Sequence, residues 1–276
     1  MKTLIWNSIL WSFFTLTAVS QTAASARIAV LDTGSNYVHI QGVSFTRTSP
    51  FVDSVGHGTL MTRVILDAFP EADIVMVKIS DTRTQYDPHV VGRGLQWCLQ
   101  NNIDIVNLSF TIEETPLIRG LINQLADNGC TVIAAVGNRS MSTGFYAASD
   151  GYIYRSSTLT GAGFPANMDN VIGVGALNFW GACASYARDE GDISVDGRAS
   201  TSHGTSISSA RLAGYIALIL TENPSLTNRQ VRNLIQQISK EKKNARLLDK
   251  DMVRTAIESN LIASYGSSGS MQIARQ

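Results

Sequence analysis

The sequence predicts an α/β fold: a doubly wound, mostly parallel sheet with helices on both faces. Two observations carry this. Five short runs rich in β-branched and aliphatic residues, at 27–31, 73–79, 104–108, 131–136 and 170–174, are nearly continuous in hydrophobicity rather than alternating. A strand with one wet face alternates, whereas a strand apolar on both faces belongs in a parallel sheet covered on both sides. Between these runs lie stretches of helical character at 60–69, 90–101 and 117–128, and two more follow at 207–221 and 228–238. Alternation of strand and helix in this way is the pattern of βαβ units.

The first run is Ile28-Ala29-Val30-Leu31 and ends on Asp32-Thr33-Gly34. The helix at 60–69 follows, then the second strand. Gly92 and Gly94 in the next helical stretch, and Gly120 in the one after, blur the boundaries, because glycine inside a helix costs about 1 kcal/mol relative to alanine. Asn128-Gly129 is a helix stop before the fourth strand. Residues 139–165 are rich in Ser, Thr, Gly and Tyr and read as a surface loop. The Gly/Ser-rich segment 265–276 reads as a flexible tail. No internal repeat or linker interrupts 27–264, which is therefore expected to be one domain.

The N-terminus reads as an export signal over 1–26. Lys2 precedes a mostly apolar stretch at 4–19, and Ala24-Ser25-Ala26 fits a small-residue cleavage site, as does Ala18-Val19-Ser20. Asn7, Ser8, Ser12, Thr15 and Thr17 make the stretch a poor permanent span. A secreted or periplasmic product is expected, with no membrane association after cleavage. Lys and Arg number 22, as do Asp and Glu, so no field draws the chain to nucleic acid or an anionic membrane surface. Three cysteines, Cys98, Cys130 and Cys183, allow at most one internal disulfide and match no zinc spacing. They read as small buried apolar residues.

Three short motifs carry chemistry. Asp32 stands at the C-terminal end of a parallel strand, the edge where open α/β sheets place ligands. Asp-Thr-Gly also occurs in aspartic peptidases, but those need two facing aspartates, and the chain has no second Asp-Thr-Gly or Asp-Ser-Gly. Gly56-His57-Gly58-Thr59 places a histidine between residues that allow close backbone approach. The tripeptide is weak alone, since it recurs as His203-Gly204-Thr205. Gly204-Thr205-Ser206 then opens a helix rich in small residues, including Ser208, Ser209, Ala210, Ala213, Gly214 and Ala217. A serine there has free N–H groups and the positive dipole end beside it, which favour an oxyanion next to its Oγ. The structural alternative is an ordinary N-cap serine.

In combination the motifs are specific. Asp at a strand end, His before a helix and Ser at a helix start follow the chain order of the subtilisin triad, and from about 27 to 240 the chain resembles the subtilase family. Asp104-Ile105-Val106-Asn107-Leu108-Ser109 resembles the strand that pairs with substrate backbone, and Ala134-Ala135-Val136-Gly137-Asn138 the segment supplying an oxyanion asparagine. Phe164-Pro165-Ala166, Val171-Ile172-Gly173-Val174-Gly175-Ala176 and Asn223-Pro224-Ser225-Leu226-Thr227 are similar to later family segments.

The resemblance implies a serine endopeptidase acting on protein or peptide substrates without a cofactor. Asp32, His57 and Ser206 are the implied triad and Asn138 the implied oxyanion donor. Ser109, Phe110, Thr111, Gly137 and Arg139 are the implied substrate-binding residues. Arg139, at the rim of the pocket for the side chain before the scissile bond, is expected to favour an acidic residue there. Three departures stand out. Ala210 and Arg211 replace the usual Pro-His after the serine. The segment 60–72, where many relatives bind calcium, is short and holds Asp67 and Glu71 without an acidic cluster, so no metal is expected. No room for a prodomain lies between Ser20 and Arg27, so a separate folding helper or inhibitor chain is an expected partner. These departures leave one alternative: a catalytically weak or inactive binding or effector protein on the same fold.

Overall fold

The computed structural model describes residues 25–82, 86–139, 161–242 and 245–266, together with the backbone of two three-residue strands between 139 and 161. The first half of the chain forms β1 (Arg27–Asp32), β2 (Gln41–Ser44), α1 (His57–Ala68), β3 (Asp73–Lys78), α2 (Pro88–Gln100), β4 (Ile105–Leu108), α3 (Pro116–Asp127) and β5 (Thr131–Ala135). The second half forms β6 (Phe145–Ala147), β7 (Ile153–Arg155), β8 (Val171–Leu177), β9 (Ile193–Asp196), β10 (Arg198–Ala199), β11 (Ser202–His203), α4 (Thr205–Glu222) and α5 (Asn228–Ile238). It closes with β12 (Lys240–Lys242), β13 (Ala245–Leu247), α6 (Lys250–Glu258) and α7 (Leu261–Ser264).

One nine-stranded sheet runs β12-β13-β9-β8-β5-β4-β1-β3-β2. Every pairing in it is parallel except β12 with β13. The five predicted runs are β1, β3, β4, β5 and β8, and their continuity in hydrophobicity has the predicted cause. In β1, Ile28 and Val30 enter the core layer shared with α1, α4 and α5, while Ala29 and Leu31 enter the layer shared with α2 and α3.

Boundaries moved where capping set them. α2 starts at Pro88 because the Asp87 side chain accepts the His89 N–H at 2.8 Å. α3 starts at Pro116 because Thr115 accepts the Ile118 N–H. Gly94 is a packing glycine, since a Cβ there would lie 2.9 Å from Ile79 Cγ2. β2 and the β12–β13 ribbon lie at the sheet edges with much of their surface exposed, so they carry little of the apolar signal that marks the central strands.

The export-signal reading rests almost wholly on residues outside those described, as do most of the 139–165 loop and residues 267–276 of the expected tail. Within the loop, β6 and β7 pair as an antiparallel hairpin. Tyr265, where the tail begins, is tied down: Asn223 Nδ2 donates to the Ile262 and Tyr265 carbonyls at 2.9 and 3.1 Å. Cys98 and Cys130 are buried, Cys183 is half-buried, and all three are free thiols. Burial pushes the Cys98 and Cys130 thiols up and keeps them protonated. Among the described residues no helix is long and apolar enough to cross a membrane.

α4 runs along the sheet beside α1, buried for most of its length. The two helices touch at Gly214, where a Cβ would lie 2.7 Å from Ala68 Cβ and 3.0 Å from the Ile65 carbonyl. Gly214→Val should therefore destabilise the fold by about 1–3 kcal/mol through overpacking. The expected result in urea is a lower midpoint at unchanged m. Residues 69–72 alone join α1 to β3, and among the described residues no group of three or more His, Cys, Asp or Glu side chains is placed to hold a metal. Chelator should shift the thermal midpoint little. A resident ion at a hundredfold excess over its Kd would contribute ~2.7 kcal/mol, so a drop of many degrees on chelation would reveal a metal site.

Candidate active site

Asp32 is the last residue of β1, with β3 on one side and β4 on the other. The chain leaves β1 for β2 and then β3 on one side and later returns to pair β4 on the other, so Asp32 stands at the switch point of the sheet. The turn that follows uses Gly34 at φ 107°, with the Val52 carbonyl 2.7 Å from where a Cβ would sit. α1 begins directly against this turn. A Cβ at Gly58 would fall 2.1 Å from the Gly34 carbonyl and 3.1 Å from Asp32 Cβ, so only glycine at 58 lets α1 approach. His57, the first residue of α1, thereby meets Asp32, its Nδ1 lying 2.8 Å from Oδ1 and 3.0 Å from Oδ2.

Asp32 is fully buried and its Oδ1 also accepts the Thr33 N–H at 2.7 Å. A carboxylate oxygen accepts, so the hydrogen of this contact is carried by Nδ1 of His57. His57 leaves 11% of its side chain exposed and lines a cleft.

Ser206 is the second residue of α4, and its N–H is a first-turn donor that no intrahelical acceptor can serve. Asn138 lies beside it. The oxygen of its amide accepts the Thr205 N–H at 3.0 Å and the Thr205 hydroxyl at 3.2 Å. A backbone N–H only donates, which fixes Oδ1 on that side and leaves Nδ2 as a donor. Gly204 makes room, since a Cβ there would lie 3.3 Å from Asn138 Nδ2. His57, Asn138, His203, Gly204 and Ser206 line one cleft of about 170 Å³. A larger cavity of about 280 Å³, lined by Asp169, Asn228 and Arg232 among others, shares no residue with it.

The remaining sequence-predicted residues are placed as follows. Ser109 is buried, and its hydroxyl donates to the Ser206 carbonyl at 3.1 Å, so it braces the start of α4. Phe110 is buried with its ring stacked on Tyr86, centroids 4.3 Å apart. Thr111 and Gly137 face one another, a Cβ on Gly137 falling 3.0 Å from Thr111 Cγ2. Arg139 is exposed and its N–H donates to the Tyr186 carbonyl. Arg211, one of the departures, donates through Nη2 to the Arg198 carbonyl at 2.6 Å and faces Asp196 at 3.6 Å. It ties α4 to the β10–β11 hairpin.

Sequence reasoning missed two groups that hold the pair together. Asp53 is buried and accepts four hydrogen bonds, from the Gly56 N–H (2.9 Å), the Thr33 hydroxyl (2.9 Å), the Thr59 N–H (2.8 Å) and the Thr59 hydroxyl (2.7 Å). It thus joins the residue after Asp32 to the residues flanking His57. Burial opposes its charge, and the hydrogen bonds, led by those from Thr59, outweigh burial and hold the carboxyl below its ordinary value. Its signal was an acidic side chain four residues before a helix-opening histidine, where the helix dipole favours negative charge. Lys78, paired in register with Asp32, is buried and donates to the Thr33 and Val52 carbonyls, both at 2.7 Å, with Asp81 at 3.0 Å.

The profile described as Subtilase family matches residues 24–252. The chain belongs to the subtilase family. It is 28% identical over 244 residues to Subtilisin E of Bacillus subtilis (strain 168), an alignment covering 78% of this chain and 60% of that protein's length. It is also 28% identical over 244 residues to Subtilisin of Bacillus pumilus, covering 78% of this chain and 84% of that one. Among solved structures, a cold adapted subtilisin-like serine proteinase superposes with a TM-score of 0.68 at 21% identity, over 83% of this chain and 90% of that one. The nisin leader peptidase NisP from Lactococcus lactis gives 0.68 at 14% identity, over 86% and 89%. These structural likenesses are of fold.

Asp53→Asn tests the brace in this subtilase. An amide presents N–H where donors already point, so stability at neutral pH should fall by about 1–3 kcal/mol. The sign of the pH dependence follows from the depressed carboxyl. Its contribution is present above the unfolded value near ~3.9 and is lost as pH falls through the lower folded value. Urea midpoints of wild type and variant should therefore converge below about pH 4, and a constant gap down to pH 2 would contradict the brace.

Proposed function

We propose that the chain is an exported serine endopeptidase that hydrolyses peptide bonds through an Asp-His-Ser triad and an acyl-enzyme. The observation that carries this is the buried Asp32–His57 pair opening onto the same cleft as Ser206 and Asn138. Membership of the subtilase family supports it. In this reading Ser206 Oγ attacks the scissile carbonyl and His57 Nε2 takes its proton. Asp32 holds the imidazole in the required tautomer and stabilises the imidazolium without taking the proton. The Ser206 N–H and Asn138 Nδ2 bind the oxyanion, aimed where charge develops. His57 returns its proton to the leaving amine, and water then releases the acyl group by the reverse sequence. Export rests on the charged-then-apolar N-terminus and its small-residue cleavage site.

Covalent labelling by a fluorophosphonate separates this from the binding-protein alternative, since only an activated serine reacts. Ser206 should be the labelled residue. Ser206→Ala and His57→Ala should each lower turnover on the order of 10⁶-fold, a magnitude taken over from subtilisin, whose triad acts as a unit. Asp32→Asn should lower it by about 10⁴-fold, the loss known for the corresponding change in another serine peptidase. Hydrolysis at wild-type rate by purified Ser206→Ala protein would end the assignment.

A further inference from the structure

We infer that Phe179 and Trp180, flanked by Arg198 and Lys242, dock the chain on an anionic lipid surface and bring the cleft edge of the sheet down to it. The docking is independent of which reaction the cleft performs.

Phe179 and Trp180 are 73% and 77% exposed. One ring left in water is ordinary surface, whereas two adjacent rings forgo apolar burial that the core would otherwise supply. They stand at the tip of a tight turn after β8, whose base is the bridge between Leu177 and Cys183. Asn178 N–H donates to the Ala182 carbonyl at 2.8 Å, and Gly181 N–H to the Asn178 carbonyl at 3.1 Å, with Gly181 at φ 65°. The Asn178 side chain accepts the Trp180 N–H at 2.9 Å and the Ala182 N–H at 3.1 Å. These bonds shape the turn without either ring. The rings meet edge to face, centroids 6.0 Å apart at 88°. A projecting tip of this kind suits a medium that yields around it. The headgroup layer of a bilayer takes aromatic rings in this way, whereas a folded protein partner would need a pocket already cut to their shape.

The charges beside the rings say which lipid. Arg198 holds its guanidinium 5.0 Å above the Phe179 ring. Asp196 meets Arg198 at 2.8 and 3.0 Å and faces Arg211 at 3.6 Å, so one carboxylate serves two guanidiniums. Lys242, on the exposed edge strand β12, brings Nζ to 3.5 Å from the Trp180 carbonyl. Each ring therefore has a cation at its side, placed to meet phosphates when the ring enters the headgroup layer. The 22 basic and 22 acidic residues cancel over the whole chain, so there is no long-range pull and the attraction is local to this edge.

The fold sets the orientation. β1, β4, β5 and β8 are parallel, so the turn after β8 stands at the same sheet edge as Asp32. Arg198 pairs in register with His203, which lines the cleft. Ala26, which leads into β1, lies at the opposite edge.

Flotation of the full chain with lipid vesicles decides this. Wild type should bind phosphatidylcholine vesicles containing about a quarter phosphatidylglycerol at least about tenfold more tightly than pure phosphatidylcholine, and salt should weaken the binding. The double variant Phe179→Ser/Trp180→Ser should lose at least about tenfold, and Lys242→Gln about fivefold. Both should keep the wild-type urea midpoint, because the altered side chains are exposed; if the double variant does not, Lys242→Gln decides alone. Absence of binding, or equal binding to the two kinds of vesicle, overturns the inference. So does a double variant that binds as wild type does, which would place the affinity elsewhere in the chain, residues 1–26 included. Self-association without vesicles that the double variant abolishes would assign the rings to a second copy of the chain and overturn it as well.

Discussion

A carboxyl group with no solvent exposure at the end of β1 is the constraint on which the rest of the site depends. Burying an ionised group costs several kcal/mol unless it is hydrogen-bonded or paired. Asp32 meets this with the Thr33 N–H and the His57 ring, and the second partner is on another element. α1 must therefore start within contact distance of the β1 turn, and a side chain at position 58 would collide with the Gly34 carbonyl. The glycines at 34 and 58 are consequences of that one carboxylate. So is the placement of α1 on the sheet face that α4 also occupies, where Gly214 lets the two helices touch.

The approach is secured by charges of both signs outside the pair itself. Asp53 gathers the donors that the start of α1 leaves unserved, along with the hydroxyl of Thr33. Lys78 reaches the Thr33 carbonyl from the neighbouring strand. Thr33 is thus held by an anion through its side chain and by a cation through its backbone. A residue gripped in this way leaves Asp32 little freedom, and catalytic groups held within a fraction of an ångström are what orientation effects require.

Much of this was legible from the residues. The central strands declared themselves because both their faces are buried, and the contact of Asp32 with His57 because weak motifs fell in one order. Asn138 was singled out by resemblance, and the structure places its amide oxygen on the Thr205 N–H at the start of α4. What was not legible depends on contacts remote in sequence. Asp53 and Lys78 act on Thr33 from 20 and 45 residues away, and nothing in their local sequence marks that reach. Ser109 read as a groove residue, and position along a strand does not say that its hydroxyl also turns under α4.

The small residues of α4 show how Ser206 is set at its height above the sheet. They read as a helix that packs closely, and Ala210, Ala213 and Gly214 do so. The serines among them do more. Ser209 donates to Asn107 Oδ1 at 2.6 Å, Asn107 Nδ2 donates to Ser109 Oγ at 2.8 Å, and Ser109 Oγ donates to the Ser206 carbonyl at 3.1 Å. Ser208 donates to the Val195 carbonyl at 3.0 Å from the same turn. Apolar packing alone would let the first turn of a helix slide by a few tenths of an ångström at little cost, because dispersion contacts are individually weak and numerous. A closed chain of directional bonds does not slide, and a break in it strands a buried polar group at a cost of about 1–3 kcal/mol. The chain starts on α4, crosses to β4 and returns to Ser206. Ser206 is therefore located relative to the sheet by hydrogen bonds, as His57 is by the buried carboxylate, and the two halves of the site are registered on neighbouring strands, β1 and β4.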